Sequence, residues 1–269
     1  MFGKMKLTLA LIVVSLGLAQ APPPVEIELM TYPEIAAAIR QGKTTVLVYN
    51  GGTEQRGPHA VLGGHTLIAH ATAAAIARRL GNALVAPVLP FSPTDGHLKA
   101  KFPGTVSVPM DVFLRTNEAV VASMVVNGFK HIVLMGDHGG GQKELEELAK
   151  TLDAKYQPKG VRVHFCAIYA KSQEVIGAWI KQNNLPPSEH AGIPDTSSLM
   201  YLGGDAYVRR DKIVAGDPVL APGQKRDPNV LRVDNGVQGD PRPSTPEMGK
   251  RFIDMKVSVA AEEIARMVR

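Results

Sequence analysis

The sequence predicts an α/β domain built as a mostly parallel sheet with helices on both faces. Short β-type runs alternate with helical segments over most of the chain, the βαβα rhythm that makes parallel neighbours. The 269 residues are 45% apolar and 20% charged, enough to bury the core of one large domain. Glycine-rich loops follow strand ends, where open parallel sheets bind their ligands.

The first element is the strand Thr44–Asn50, which leads into a glycine-rich loop. An alanine-rich helix runs from about Thr66 to Leu80, with Arg78 and Arg79 at its negative pole and Gly81 as its stop. Ala83–Ala86 is the second strand, closed by Pro87. A helix from an Asp111 N-cap to Asn127 ends at Gly128, and His131–Met135 is a buried strand. Lys143–Tyr156 is helical, and Val161–Tyr169 alternates as a further buried strand. The last helix starts with Thr245 as N-cap and Pro246 at N1, and buries Met248, Phe252, Met255 and Val259 at helical spacing. Between Gly203 and Pro243 the chain is rich in Gly, Pro, Asp and Arg; this least regular part suits subunit contacts. The loops after Tyr49, Ala86, Met135 and Tyr169 are expected to converge on the functional site.

Residues 1–19 stand apart: Lys4 and Lys6 precede the apolar run Leu7–Leu18, and small residues follow at Gly17 and Ala19. This is the pattern of a secretory signal, with cleavage points before Gln20, the favoured one, and before Pro22. The apolar run is short for a permanent spanning helix, which disfavours the alternative of an uncleaved anchor. Residues 20–30, including Ala21-Pro-Pro-Pro24, form an extended lead, and 31–269 form the domain. The expected destination is the periplasm or the outside of a bacterial cell, with no stable membrane association after cleavage. The single thiol, Cys166, allows no intramolecular disulfide. The net charge of +5 is dispersed, so it reads as a solvated surface and not as a nucleic-acid footprint.

Three segments could carry chemistry. The loop Asn50–His65 gathers Glu54, Arg56, His59 and His65 among glycines, and Glu54 with His65 offers the anionic oxygen and neutral imidazole that zinc accepts. Gly136-Asp-His-Gly-Gly-Gly-Gln142 places Asp137 and His138 at the mouth of a strand. A phosphate-binding reading of that loop fails, because Gln142 stands where lysine is required. Glu189-His-Ala-Gly-Ile-Pro-Asp-Thr-Ser197 supplies His190, a candidate general acid, and Asp195, which could equally N-cap the helix that follows.

Taken together these segments resemble the creatininase (creatinine amidohydrolase) family. Its Gly-Ser-Thr-Glu-Gln-His-Gly-Pro-His and Leu-Pro-Leu-Gly-Thr-Asp stand here as Gly51-Gly-Thr-Glu-Gln-Arg-Gly-Pro-His59 and Ala60-Val-Leu-Gly-Gly-His65. Its Phe-Pro-Gly-Thr is Phe102–Thr105, preceded by His97-Leu98, and its Asn-Gly-His-Gly-Gly-Asn is Gly136-Asp-His-Gly-Gly-Gly141. Its His-Ala-Gly-Glu-x-Glu-Thr-Ser is His190–Ser197, and its Gly-Val-x-Gly-Asp-Pro is Gly236–Pro241. The resemblance implies a three-layer α/β/α sandwich, a homo-oligomer (often a hexamer), and two divalent metals at the sheet's carboxyl edge that drive hydrolysis of a cyclic amide. Glu54 and His138 match its ligands. Arg56 stands in place of a ligand histidine, and His65 in place of the aspartate that bridges both metals.

Those two changes have direct consequences. Arginine stays protonated and opposes a second cation, while a neutral imidazole offers one lone pair to one metal. The expectation is therefore one Zn2+ held by Glu54, His65 and His138, with Asp195 as a fourth ligand. His190 or Asp137 would shuttle protons and Arg56 would hold an oxyanion or a substrate carboxylate. The function expected is a metal-dependent hydrolase of an amide or lactam-like C–N bond in a small molecule. The alternative is an exported, non-catalytic binder of a small anion, with Arg56 in the old pocket.

Overall fold

A computed structural model describes residues 23–98, 102–220, 223–225 and 232–269. The signal segment expected at 1–19 lies outside the described residues. The segment after it carries one 3-10 turn, Ile27–Leu29, and Glu26 pairs with Val85. Helix α1, Tyr32–Arg40, opens with a capping box in which the Thr31 N–H donates to Glu34 at 2.6 Å.

Four parallel strands form the sheet, in the order β2-β1-β3-β4: β1 Thr45–Asn50, β2 Ala83–Val85, β3 His131–Gly136 and β4 Arg162–Phe165. β1 and β3 pair along their length, Thr45 against His131 through Asn50 against Gly136. Every residue of β1 is buried, as expected of a strand covered on both faces. Successive side chains point to opposite faces, and two neighbours on β1 show what lies on each. Tyr49 faces Thr72 of helix α2, Gly64–Leu80. Asn50 exchanges amide hydrogen bonds of 2.9 and 3.0 Å with Asn117 of α4, Met110–Val126. Against α2 pack α7 (Ile193–Gly203) and α8 (Pro246–Met267), α6 (Ile168–Gln182) packs against α8, and α5 (Gln142–Tyr156) joins α4. A short helix α3, Asp95–Leu98, lies in the β2–α4 connection. The three-layer α/β/α arrangement follows.

Most boundaries fall where local chemistry sets them. Gly81 ends α2 in the left-handed conformation, and Thr245 Oγ1 accepts from Met248 N–H at 3.2 Å to start α8. Four expectations need correcting. The strand read over 161–169 stops at Phe165, because Ile168, Ser172, Ile176 and Ile180 recur every four residues and form the buried face of α6. Pro109, not Asp111, caps α4; Asp111 sits in the first turn and pairs with Arg115 at 2.7 Å. Asp195 does not N-cap α7, whose N-cap is Gly192. On α8 only Phe252 of the four residues expected to be buried is so; Met248, Met255 and Val259 are half-buried, and the buried stripe runs instead through Phe252, Ile253, Lys256, Val257, Ala260, Glu263 and Ile264. Among the described residues no helix is long and apolar enough to cross a membrane.

Candidate metal centre

Several loops from the carboxyl edge of the sheet deliver the site. The chain leaving β1 passes so close to the start of α2 that a Cβ on Gly51 would lie 2.6 Å from Thr66 Cα, so only glycine fits. Thr66 Oγ1 both accepts from the Gly52 N–H and donates to the Gly52 carbonyl, each at 3.2 Å. The Glu54 N–H donates to Leu62 O at 3.0 Å and the Gln55 N–H to Thr105 Oγ1 at 3.0 Å. These bonds fix the backbone that carries Glu54. His65 belongs to the first turn of α2, His97 to α3, His138 to the β3–α5 loop, and His190 to the loop before α7.

All four histidines converge on the Glu54 carboxylate, which is 1% exposed. Oε1 lies 3.0 Å from His65 Nε2 and 3.4 Å from His190 Nδ1. Oε2 lies 3.0 Å from His138 Nε2 and 3.5 Å from His97 Nε2. Behind this layer, His65 Nδ1 is 2.8 Å from Asp137 Oδ2, and Lys256 Nζ is 2.6 Å from Asp137 Oδ1. Arg56 is fully buried, with Nη1 2.5 Å from Asp195 Oδ2 and Nη2 3.8 Å from Glu54 Oε1. These are ion pairs of charge, since no guanidinium N–H is aligned as a hydrogen bond. A cavity of about 450 Å³ opens on the cluster; Glu54, His65, His138, Tyr169, His190 and Asp195 are on its wall.

The electrostatics follow from this packing. Burial alone would raise the Glu54 carboxyl, but hydrogen bonds from His138 and His65 and the charges of His65 and Arg56 outweigh it and hold it far below the carboxylate range. Asp137 is likewise held low: burial is overcome by the Lys256 charge and the His65 hydrogen bond. Burial and Arg56 pull His65 down, yet its bonds to Asp137 and Glu54 leave it above the ordinary imidazole value. Burial and then Arg56 push His190 down to about 4, so it is neutral near pH 7. Burial and the Asp195 charge raise Tyr169 to about 12, which keeps its phenol protonated.

Do these donors fit a metal ion? Glu54, His65 and His138 offer ligand atoms that lie within 4.8 Å of one another, and so do Glu54, His97 and His190. Tetrahedral zinc with bonds of about 2.0–2.2 Å separates its ligands by about 3.3 Å. The 3.0 Å contacts of Glu54 with His65 and His138 need only a few tenths of an ångström of expansion. The ionised Asp137 can only accept, so His65 Nδ1 donates to it and Nε2 is left to face Glu54 Oε1 at 3.0 Å. Two lone pairs cannot meet at that distance without a proton or a cation between them. A carboxylate–histidine pair of this kind is the usual support of a metal-bound imidazole. The first donor set fits.

The family model for creatininase, described as creatinine amidohydrolase, matches residues 28–264. The chain belongs to the creatininase family. Similar curated proteins carry the name mycofactocin precursor peptide peptidase. One from Mycobacterium tuberculosis (strain CDC 1551 / Oshkosh) is 27% identical over 241 residues, covering 82% of this chain and 85% of that protein. One from Mycolicibacterium smegmatis is 28% identical over 234 residues, covering 82% and 84%. Among solved structures, a creatinine amidohydrolase (creatininase) superposes with a TM-score of 0.75 at 21% identity, over 91% of this chain and 98% of that one. Creatininase with manganese superposes equally well, at 20% identity over 91% and 99%. At such identity these structures establish the fold, and the family match establishes a creatininase-family hydrolase.

The structure thus brings Glu54, His65, His138 and His190 to one cavity. It places the other sequence candidates differently. Asp195 reaches the cavity wall, but its carboxylate is held by Arg56 and by the Ala191 N–H at 2.9 Å, and it belongs to neither three-donor set. Arg56 is sealed beneath the wall, so it faces Glu54 and Asp195 and no bound molecule. Asp137 lies behind His65, out of the cavity. His97, Tyr169 and Lys256 were not singled out from the sequence. Of these, His97 stood beside the Phe102–Thr105 motif without being given a role, and Lys256 shows its place only through the buried stripe of α8.

Proposed function

We propose that this protein is a metal-dependent hydrolase of an amide C–N bond in a small molecule, with one ion of the zinc class held by Glu54, His65 and His138. The observation that carries the reading is the Glu54 carboxylate with His65 Nε2 and His138 Nε2 each 3.0 Å away at the floor of a cavity. When bound, such an ion supplies Lewis-acid polarisation of a carbonyl and an activated water. His190 is oriented by its Nε2, 2.7 Å from the Gln55 carbonyl and 3.0 Å from the Gln55 side-chain amide nitrogen. With a pKa of about 4 the ring is neutral near pH 7 and keeps one unprotonated nitrogen to accept a proton and return it to the departing nitrogen. Tyr169, neutral below about 12, offers a phenol O–H to the carbonyl oxygen, the part first expected of Arg56. A cavity of about 450 Å³ suits a lactam, a cyclic ureide or the end of a short peptide. An anion-binding role has less support, because Arg56 does not reach that cavity.

One observation favours a second ion: Glu54, His97 and His190 form another three-donor set. Against it stands the Arg56 charge, 3.8 Å from the shared Glu54 oxygen. Metal analysis of the protein purified without chelators separates these readings. One equivalent, lost in Glu54→Ala and His138→Ala, supports the mononuclear hydrolase. Two equivalents, one of them lost in His97→Ala, support the paired site, and none in any sample sinks both. Export belongs to the same proposal and rests on the pattern of residues 1–19; N-terminal sequencing of exported protein should begin at Gln20.

A further inference from the structure

Lys256 has no partner on its own helix, yet its side chain is about nine-tenths buried and its Nζ lies 2.6 Å from Asp137 Oδ1. The other oxygen of that carboxylate is 2.8 Å from His65 Nδ1, and the opposite nitrogen of the same ring is 3.0 Å from Glu54 Oε1. Tyr49 Oη adds a weaker contact to Asp137 Oδ1 at 3.4 Å. A chain of charge-assisted hydrogen bonds therefore runs from α8, through the end of β3, to the first turn of α2 and the metal-facing nitrogen.

Simple core packing does not account for this chain. An ammonium and a carboxylate in a protein interior bring no net stability over apolar residues of like volume, so their presence asks for another reason. The sequence supplies one. His65 stands where the family pattern has aspartate, and Asp137 stands where it has glycine. The two departures touch each other: the His65 imidazole faces Glu54, and the Asp137 carboxylate lies one layer outward. An imidazole can present either nitrogen, so it serves as a ligand only if something fixes which nitrogen holds the proton. An acceptor-only carboxylate on Nδ1 does so, and the ammonium on its far oxygen offsets the cost of burying it.

We infer that Lys256 is a positioning residue for the metal: through Asp137 it holds His65 with Nε2 turned to the ion. The inference rests on the metal site proposed above. Removing Lys256 alone leaves a buried, unpaired carboxylate that can unfold the protein, so the informative variant is the double one, Asp137→Asn with Lys256→Met. It keeps shape and removes both charges, but an amide can turn either way and no longer dictates the proton on His65.

The test is zinc affinity by chelator competition, together with the visible absorption of the Co2+-loaded protein and the thermal midpoint of the metal-free form. The double variant should melt near the parent, bind zinc about 10–100-fold more weakly, and show a changed cobalt spectrum. Lys256→Arg, which keeps a donor to Asp137, should retain most of the affinity. A double variant with unchanged affinity and cobalt spectrum would overturn the positioning role and leave the metal site standing. A parent that binds neither ion would overturn the metal site, and the positioning role with it.

Discussion

Replacing His164 by asparagine should remove part of the protein's sensitivity to mild acid, at a position remote from the metal centre. His164 Nε2 lies 3.2 Å from His131 Nδ1 on the neighbouring strand, with the two rings stacked 5.5 Å apart. Burial, then the charges of His131 and Arg162, hold the His164 pKa at about 4 against an ordinary 6.5. Burial and Arg162 lower His131 in the same direction. The sign follows: between these values the unfolded chain binds a proton at His164 that the folded chain refuses. Stability is thus whole above about pH 6.5 and falls as the pH drops towards about 4. At about 1.4 kcal/mol per pH unit the loss has a ceiling of roughly 3 kcal/mol. His164 is partly solvated, and screening cuts that to about 1–2 kcal/mol, of which about 1 is felt by about pH 5. The assay is urea unfolding of parent and His164→Asn at about pH 7.5 and about pH 5, reading midpoint and slope. The parent should lose about 1 kcal/mol more than the variant on acidification. Equal losses in both proteins would refute the argument.

Further outcomes follow from the same structure. His190→Gln should lower kcat on a responsive amide by about 10²–10⁴ while metal content stays at the parent level; lost metal would instead make His190 a ligand. Phe252, buried and packed edge-on against Trp179 at 5.4 Å, should cost about 3–5 kcal/mol as Phe252→Ala in urea unfolding, and a cost under about 1 would contradict its place in the core. A Cβ on Gly140 would collide with the Pro93 carbonyl, a backbone atom that cannot swing away. Gly140→Ala should therefore lower the thermal midpoint and weaken metal binding together, and a variant with both intact would show that the loop can shift.

The fold was legible wherever a period and a stop signal coincided. Gly81 closing α2 and the Thr245-Pro246 start of α8 lie in the local sequence, and both elements begin or end there. The reading failed at 161–169, where a strand gives way to a helix with no glycine or proline between them, and apolar residues fit both periods until Ile176 and Ile180 decide. At the site, Glu54 and His138 were legible because each lies in a glycine-rich loop at a strand end, and His65 because the glycines before it mark the start of α2. His97 carries no such mark; it joins the others only because the β2–α4 connection folds back over Glu54. Asp195 looked like a ligand because an isolated carboxylate near a histidine does, and only the tertiary fold shows that Arg56 takes it. Lys256 was hidden in an apolar stripe that the sequence reading counted by its hydrophobic members alone.

An ion held by Glu54, His65 and His138 would tie together points far apart along the chain. The unfolded polypeptide has no such pocket, and any binding energy is then also resistance to unfolding, about 4 kcal/mol at a thousandfold excess of ion over its dissociation constant. In a chain whose one thiol, Cys166, can form no internal crosslink, the ion would act as the missing staple, and a reversible one. Metal supply would then govern how long each molecule survives proteolysis as well as how fast it turns over.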